Sequence, residues 1–250
     1  MTSAAPSVLR KVGTGFLDFL FPPLCLQCRD HVGEAGGLCA RCWNAINFIE
    51  GAVCLSCGLP FDVPVFGETR CGPCEAAPPS FDKARAVMRY DNASKGAILA
   101  LKHADRLELA PSFARWLERV GKTMLMESDV VVPVPLHAAR LWSRRYNQSA
   151  ELARILSRRA GKTYAPQVLE RVRRTPSQGE MPSAAARRRN VAGAFRVHKA
   201  NGAVVHGRTV LLVDDVLTTG ATADSCARAL KRAGAKAVFV LALARVVRPA

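Results

Sequence analysis

The segment VLLVDDVLTTGAT, residues 210–222, combines two adjacent acids with a cluster of hydroxyl groups. Its apolar start predicts a buried strand, and the helical pattern that begins near Ala221 predicts a turn from strand to helix. The turn carries small and hydroxyl-bearing residues, namely Thr218, Thr219, Gly220 and Thr222. Because the first N–H groups of a helix have no helical acceptor, these amides and hydroxyls predict a cradle for one phosphate group.

The two acids of this segment, Asp214 and Asp215, stand on the strand side of the cradle. Carboxylates there would repel a phosphate unless they bound another part of the same ligand, and two neighbouring acceptors match the vicinal hydroxyls of a ribose. The sequence has no GxxxxGK[ST] motif and no GxGxxG after a strand, which excludes two other phosphate loops. The alternative is a turn in which Asp and Thr only cap the helix. We expect a ribose 5-phosphate ligand.

Eight of the nine cysteines form four CxxC pairs: Cys25 and Cys28, Cys39 and Cys42, Cys54 and Cys57, Cys71 and Cys74. A single CxxC is typical of a redox pair or a disulfide, but four pairs in a chain without a secretory signal favour structural zinc. We expect the first two pairs to hold one ion and the last two another, with an interleaved arrangement as the alternative. The ninth, Cys226, lies in a helical pattern and is expected in the core.

From residue 81 onward, patterns typical of strands and helices alternate. Strands are predicted at 84–90, 129–135, 166–172, 208–215 and 235–246. Helices are predicted at 94–103, 108–125, 147–160 and 221–234, with Asn147 as a candidate cap of the third. Such alternation predicts an α/β fold with a mostly parallel sheet and helices on both faces, in which ligands bind at the carboxyl ends of the strands.

The 250-residue chain has 49% apolar residues, enough for a core, and a formal net charge of +16. Residues 140–199 hold fifteen Arg or Lys and three Glu, which favours a polyanionic partner, with a solvated basic surface as the alternative. The longest clean apolar run, 237–244, is strand-sized, so we expect a soluble, cytoplasmic protein with no membrane span. An apolar stripe over 6–21 predicts a short N-terminal helix.

The apolar strand followed by Asp-Asp and Thr-Thr-Gly-x-Thr resembles the phosphoribosyl pyrophosphate (PRPP) signature of type I phosphoribosyltransferases. From about residue 17, the whole chain resembles the ComF family. The resemblance rests on the paired CxxC motifs, on VVPVPLHAARLWSRRYNQSAELA at 131–153, on RRTPSQ, RRRN and GAF within 173–195, and on the PRPP motif. One departure stands in RRYNQ, where Arg145 takes the place of the glycine in the family's RGFNQ.

This resemblance implies roles for single residues. Asp214 and Asp215 would bind the ribose hydroxyls, and Thr218, Thr219, Gly220 and Thr222 the 5-phosphate. The segment 133–148 would form the pyrophosphate loop, with Arg144, Asn147 and Gln148 as contacts. Residues 173–190 would form the mobile catalytic loop or its anchor, including Thr175, Gln178, Arg187 and Asn190. Lys102 matches a lysine of the family and is expected among the PRPP contacts. The implied catalytic set is Asp214, Asp215, Arg144 and Arg187.

The resulting interpretation has three parts: an N-terminal amphipathic helix over 1–24, a double zinc ribbon over 25–80 and a phosphoribosyltransferase-like domain over 81–250. The implied activity is transfer of the phosphoribosyl group of PRPP, with Mg²⁺ and release of pyrophosphate, to an acceptor that the sequence does not name. We expect the ribbons to form the hood over that acceptor. Two alternatives stand beside it: handling of single-stranded DNA together with competence machinery in natural transformation, and sensing of PRPP without turnover.

Overall fold

The computed structural model describes residues 22–34, 36–102, 106–137, 141, 146–173 and 184–247. Contacts between residues divide the chain into two compact units, 1–45 and 46–250. All of the N-terminal helix predicted over 1–24 except its last three residues lies outside the described residues. No helix within the described ranges is long and apolar enough to cross a membrane.

The first unit is a small ribbon around four cysteines. Its one described helix, α1 (Ala40–Ala45), carries the buried Cys42. The turn after Cys25 closes by a 2.7 Å hydrogen bond from its N–H to the carbonyl of Asp30. The N–H of Cys39 donates to the Cys25 sulfur over 3.3 Å, an arrangement typical of a thiolate knuckle. Within residues 22–34 and 36–45 only Cys25, Leu26 and Cys42 are buried, so this described part of the unit depends on the metal for its stability.

The second unit holds the remaining elements, which alternate along the chain as the sequence predicts. Its helices are α2 (Gly72–Ala76), α3 (Asn92–Lys102), α4 (Ala110–Val120), α5 (Lys122–Glu127), α6 (Gln148–Ala160), α7 (Ala184–Val191) and α8 (Ala221–Arg232), with 3₁₀ turns at Leu107–Leu109 and Lys199–Val204. Its strands are β1 (Lys83–Arg89), β2 (Val130–Pro133), β3 (Thr163–Tyr164), β4 (Leu169–Arg171), β5 (Phe195–Val197), β6 (Thr209–Leu217) and β7 (Ala237–Arg245).

The main sheet has five strands in the order β1-β7-β6-β2-β3, and all of its pairs are parallel. Strands β6 and β7 lie at its centre and are almost wholly buried, because helices cover both faces of a parallel sheet. The expected α/β fold is confirmed. The strand predicted at 166–172 is shorter, and β4 pairs antiparallel with β5 in a separate two-stranded sheet.

One predicted helix is divided in the structure, and another has the predicted cap. The single helix expected over 108–125 is a 3₁₀ turn followed by α4 and α5, which meet at Gly121. A Cβ at Gly121 would lie 2.5 Å from a terminal methyl group of Leu241, so a side chain at this break would force Leu241 to move. The predicted cap of α6 is confirmed, because the Asn147 side chain accepts the N–H of Ser149.

The second cysteine cluster is part of the core of this unit. Its four members, Cys54, Cys57, Cys71 and Cys74, are all buried, and they pack in the same apolar cluster as Phe81 and the central strands. The Ala84 N–H of β1 donates to the Ser56 carbonyl over 2.7 Å. At Gly58, which has φ +69°, an added Cβ would lie 2.4 Å from the Ala84 carbonyl oxygen, so the knuckle approaches β1 this closely because it carries glycine.

Two arginines of the sheet hold the turn that contains Cys54 and Cys57. Arg245, at the end of β7 and only 7% exposed, donates to the Cys57 carbonyl over 2.7 Å and to the Cys57 sulfur over 3.3 Å. Arg85 of β1 donates to the carbonyls of Cys54 and Leu55 over 3.4 and 3.2 Å. Four thiolates around one Zn²⁺ carry a formal charge of −2, so two guanidinium groups balance it.

Both clusters have the geometry of a four-cysteine zinc site. In each, the four sulfur atoms lie within 4.8 Å of one another. Sulfur atoms about 2.3 Å from a tetrahedral ion stand about 3.8 Å apart. The sulfurs of Cys28 and Cys39 are 3.5 Å apart, and those of Cys57 and Cys71 are 3.6 Å apart. The grouping is sequential, with Cys25, Cys28, Cys39 and Cys42 in one cluster.

We predict that the two zinc ions leave the protein in two distinct steps. Cys28 and Cys39 are partly exposed, whereas the second cluster is buried in the core. A strong chelator should therefore remove one ion without loss of the helical circular dichroism signal, and the second only together with unfolding of the sheet unit. A colorimetric zinc assay recorded beside circular dichroism measures both events.

The variant Arg245→Met tests the asymmetry directly, with Arg41→Met as its matched control. Arg41 lies beside Cys28 in the first unit and is exposed. Arg245→Met should speed release of the second ion, and Arg41→Met should affect only the first. Simultaneous release of both ions in every variant would contradict the prediction.

Candidate functional site

The two acids of the PRPP-like segment lie at the carboxyl end of the central strand of the sheet. Both acids are strand residues, as the predicted strand 208–215 implies, and β6 runs two residues farther, to Leu217. Asp214 pairs in register with Ala242 of β7. Since successive side chains of a strand point to opposite faces, the two carboxyl groups meet different surroundings.

Asp214 is buried among apolar side chains, and few groups stabilise its charge. Its Oδ1 accepts the Ser149 hydroxyl over 3.1 Å and the Asp215 N–H over 2.9 Å. Burial, together with the negative charge of Asp215, raises the pKa of Asp214 to about 7 from the usual 3.8. This carboxyl group therefore changes its protonation near neutral pH.

Asp215 forms an ion pair with Lys102, whose Nζ lies 3.1 Å from Oδ2. The two side chains are 16% and 19% exposed, so the pair is largely shielded from solvent without being sealed from it. Lys102 is the last residue of α3, and its ammonium group also lowers the pKa of Asp214 against the larger effect of burial. One cation thus serves both carboxylates.

The turn before α6 fixes the end of α3, where Lys102 lies. The last carbonyls of a helix have no helical donor. Here the Tyr146 hydroxyl donates to the Leu101 carbonyl, and the Gln148 side chain donates to the Lys102 carbonyl over 3.0 Å. Gln148 is itself 1% exposed. These bonds place the α3 terminus, and with it the lysine, beside the strand tip.

The predicted PRPP contacts Asn147 and Gln148 thus have partners within the protein. The Asn147 side chain caps α6 and donates to the Val134 carbonyl over 3.0 Å. The structure brings Lys102, Asp214 and Asp215 together directly, and brings Gln148 to the backbone of Lys102. In this arrangement Asn147 and Gln148 hold the frame of the site.

The predicted phosphate cradle lies between β6 and α8. Gly220 caps α8 with φ +78°, a left-handed conformation that favours glycine, and its carbonyl accepts the first helical hydrogen bond from Asp224 over 2.8 Å. The N–H groups of the first helical turn precede this bond and have no acceptor inside the helix. Thr218 and Thr222 flank them and are half-buried. This is the geometry of an anion site at a helix start.

The remaining predicted residues fall into two groups. Arg144, Thr175 and Gln178 lie outside the described residues, as does Arg145. Arg187 and Asn190 lie on α7, which packs on α8 through a 2.8 Å bond from the Ser225 hydroxyl to the Val191 carbonyl.

The segment predicted to form or anchor the catalytic loop is held at its two ends. The Arg173 guanidinium donates to the Asn190 carbonyl over 2.8 Å. The neighbouring strands β4 and β5 pair with each other and carry an ion pair of 2.6 Å between Glu170 and Arg196. The ends of the segment 173–190 are therefore fixed next to each other.

Sequence reasoning missed Ser149 and Arg245. Both act through side-chain bonds to residues 65 and 188 positions away. A signal was present for Arg245, because it is the single charge at the end of the otherwise apolar run AVFVLALAR. Ser149 has no such signal, since a serine in the first turn of a helix is common.

Two family models match the chain. The model of the double zinc ribbon domain matches residues 16–75, and that of the phosphoribosyl transferase domain matches residues 147–248. The second match contains β6, the two acids, the cradle and Ser149. The cysteine clusters and the parallel sheet agree with these two assignments.

Among solved structures, the chain is similar to the glutamine PRPP amidotransferase of B. subtilis and to the PRPP synthetase of Mycobacterium smegmatis. Identity to the first is 24%, with a TM-score of 0.37, over 58% of this chain and 30% of that one. Identity to the second is 19%, with a TM-score of 0.35, over 55% of this chain and 34% of that one.

Relatives match the chain over nearly their whole length. DNA utilization protein YhgH of Salmonella typhimurium is 34% identical over 90% of this chain and 98% of its own, and that of Escherichia coli K12 matches equally. Competence protein F of Haemophilus influenzae is 31% identical over 88% of this chain and 96% of its own. The chain therefore belongs to the ComF family, which joins a double zinc ribbon to a phosphoribosyltransferase domain.

Proposed function

We propose that the protein binds PRPP at the tip of β6 and transfers its phosphoribosyl group to an acceptor, with release of pyrophosphate. The observation that carries this proposal is the placement of two acids and one phosphate cradle on a single strand-to-helix connection. Asp214 and Asp215 provide acceptors for a diol, and the start of α8 provides donors for a phosphate. A ribose 5-phosphate moiety has both groups at the two ends of one sugar.

In this mechanism the protein acts by positioning and by charge. The amides at the start of α8 hold the 5-phosphate, and the carboxylates of β6 accept hydrogen bonds from the ribose hydroxyls. The bond from the anomeric carbon to the pyrophosphate oxygen breaks, the pyrophosphate leaves with the bonding electrons, and the acceptor's lone pair forms the new bond. The Lys102 ammonium, 3.1 Å from Oδ2 of Asp215, holds this side chain in place until the substrate arrives.

Carboxylate oxygens are ligands that Mg²⁺ prefers, and Asp214 and Asp215 offer them beside the ribose site. When bound with PRPP, Mg²⁺ would neutralise negative charge on the diphosphate. Arg144 and Arg187, implied by the family resemblance, would neutralise the leaving pyrophosphate. The ribbons as a hood over the acceptor and a cytoplasmic location also remain proposals.

We predict that PRPP binding depends on Asp215. In isothermal titration calorimetry with PRPP and Mg²⁺, Asp215→Asn should weaken binding about tenfold or more, because a hydrogen bond to a charged group contributes about 1.5–3 kcal/mol. The matched control is Glu118→Gln, which removes an acid paired with Arg159 on the surface of the same unit. Wild-type protein that gives no heat would overturn the proposal.

A nucleobase screen for pyrophosphate release from PRPP then distinguishes transfer from sensing. Release that requires Asp215 supports transfer. PRPP binding without release under every acceptor condition would support the alternative of a PRPP sensor.

We predict that PRPP affinity falls as pH drops through about 7. The raised pKa of Asp214 means that the carboxyl group is protonated below this pH and offers one fewer acceptor to the ribose. Ser149→Ala removes a donor that lowers this pKa, so the acid limb of the affinity profile should move to higher pH. When Asp214 is replaced by Asn, Ser149→Ala should no longer shift the pH profile of PRPP affinity.

The same group gives a second readout in the free protein. Because the pKa of Asp214 is higher in the folded chain than its ordinary value of 3.8, its ionisation lowers stability as pH rises from about 4 to about 7. The free energy of unfolding, measured by urea titration, should lose this slope in Asp214→Asn. An unchanged slope would show that Asp214 does not titrate there.

A second candidate function is the handling of single-stranded DNA. The names of the relatives, DNA utilization protein and Competence protein F, favour it, and so does the basic run over 140–199. Three consecutive arginines lie on α7, in the sequence AAARRRNV. A phosphate backbone could follow such a run of charge without base-specific contacts.

We predict that oligonucleotide binding, if it is a function of this chain, depends on the α7 arginines. Replacing Arg187, Arg188 and Arg189 by Ser should reduce the magnitude of the slope of log affinity against log salt concentration by about two to three. The matched control replaces three exposed cations of the same unit that lie outside the basic run, Arg208, Arg232 and Lys236. Fluorescence anisotropy measures both, and equal slopes in the two triple variants would contradict a specific role for α7.

A further inference from the structure

The Lys102 ammonium group lies against the two acids that the candidate ribose site would use. Its Nζ is 3.1 Å from Oδ2 of Asp215, and the two side chains are 19% and 16% exposed. The charge of Lys102 also acts on the buried carboxyl group of Asp214. A cation that bound Asp215 from solution would therefore meet the lysine at the same oxygen atom.

This contact opposes the binding of a bare divalent cation. An Mg²⁺ ion binds a carboxylate oxygen at about 2.1 Å, so on Asp215 it would lie within a few ångströms of the ammonium nitrogen. Two cations this close repel each other, and the repulsion is stronger in a largely shielded site than in water. As long as Lys102 stays on Asp215, the acids are a poor site for the metal alone.

The lysine side chain can leave Asp215 without any movement of its helix. The Lys102 carbonyl accepts the Gln148 side chain over 3.0 Å, and the Leu101 carbonyl accepts the Tyr146 hydroxyl, so the backbone is held at the end of α3. The stem of a lysine has four carbons and rotates freely, and its ammonium group has three donors. The fixed backbone and the flexible stem let the charge move between neighbouring acceptors.

A ligand with phosphate groups offers the lysine a second acceptor, and a bare cation offers none. Phosphate oxygens are strong acceptors for an ammonium group. A diphosphate that carries a divalent cation would bring both charges at once. Its negative oxygens attract Lys102 away from Asp215, and the freed carboxylate can then accept hydrogen bonds or bind the metal.

We propose that Lys102 determines the form in which a divalent cation enters this site: it excludes the bare ion by its bond to Asp215, and it admits the ion as a complex with a diphosphate. Lys102 is thus a specificity residue as well as the partner of an acid. The identity of the diphosphate as PRPP rests on the proposed function, whereas the exclusion of the bare cation does not.

The first experiment measures the binding of Mn²⁺ alone, which replaces Mg²⁺ and is detected by electron paramagnetic resonance. On the full zinc-loaded chain, Lys102→Met should bind Mn²⁺ about fivefold or more tightly than the wild-type protein, because the variant keeps the stem and removes the charge. Lys102→Gln, which keeps a polar end without the charge, should show the same gain. A smaller gain or a loss in both variants would overturn the proposal.

Two further variants locate the effect. Adding Asp215→Asn to Lys102→Met should remove the gain in Mn²⁺ affinity, and a gain that persists would place the ion elsewhere and overturn the assignment. The matched control is Lys162→Met, which removes the same charge from a lysine whose Nζ donates to the Met126 carbonyl over 3.3 Å. An equal gain in Lys162→Met would assign the effect to net charge alone, against the proposal.

The second experiment is calorimetry with PRPP and Mg²⁺ together. Lys102→Met should bind PRPP about fivefold or more weakly, because a charge-assisted hydrogen bond to phosphate is lost. The two affinities should therefore change in opposite directions. A lysine that only positions Asp215 would lower both affinities, and one that only blocks the acids would raise both; either result contradicts the proposal.

The two experiments fail separately. Wild-type protein that gives no heat with PRPP would reject the proposed function, and the Mn²⁺ measurements would still decide whether Lys102 excludes the bare cation. Zinc content and circular dichroism verify that each variant is folded.

Discussion

The site is organised around a buried carboxylate that has a second carboxylate as its chain neighbour. Asp214 is buried near the carboxyl end of the central strand, and Asp215 adds a like charge beside it. Neither charge is stable there without partners. The Ser149 hydroxyl and the Lys102 ammonium supply these partners from two different helices. Helix α3 must therefore end, and α6 must begin, at the tip of β6. The position of those helix ends is the main constraint on this half of the fold.

That constraint explains the role of residues 146–149. Tyr146 and Gln148 bind the last carbonyls of α3, and Asn147 starts α6. The same few residues therefore set the position of Lys102 and of Ser149 relative to the strand. In sequence, Asn147 and Gln148 look like ligand contacts because they are polar and belong to a family motif. In the structure, the Asn147 side chain bonds to Ser149 and Val134 and the Gln148 side chain bonds to the Lys102 carbonyl, so both also hold the ends of α3 and α6 in place.

The sequence predicted the sheet and its long elements because β6 and β7 contain continuous apolar runs of strand length and α8 has a helical period. It did not predict β3 and β5, since two or three residues carry no readable period. The sequence also predicts which residue types the proposed site would use, because a diol and a phosphate require acceptors and donors at one turn. The partners of those residues were not, since bonds such as that from Ser149 to Asp214 depend on tertiary packing rather than on local pattern.

The two zinc ribbons are alike in sequence and differ in what they support. The second is fixed to the sheet by Arg245, which pairs in register with Leu217, the residue just before the phosphate loop. The Val246 N–H donates to the Leu217 carbonyl over 3.0 Å, so the residue that follows β7 also holds the backbone at the end of β6. If the thiolates lost their metal and moved, a buried guanidinium would lose its partners next to the loop. The second zinc ion therefore stabilises the strand end from which the phosphate cradle begins, and the metal centre and the candidate PRPP site form one structural unit.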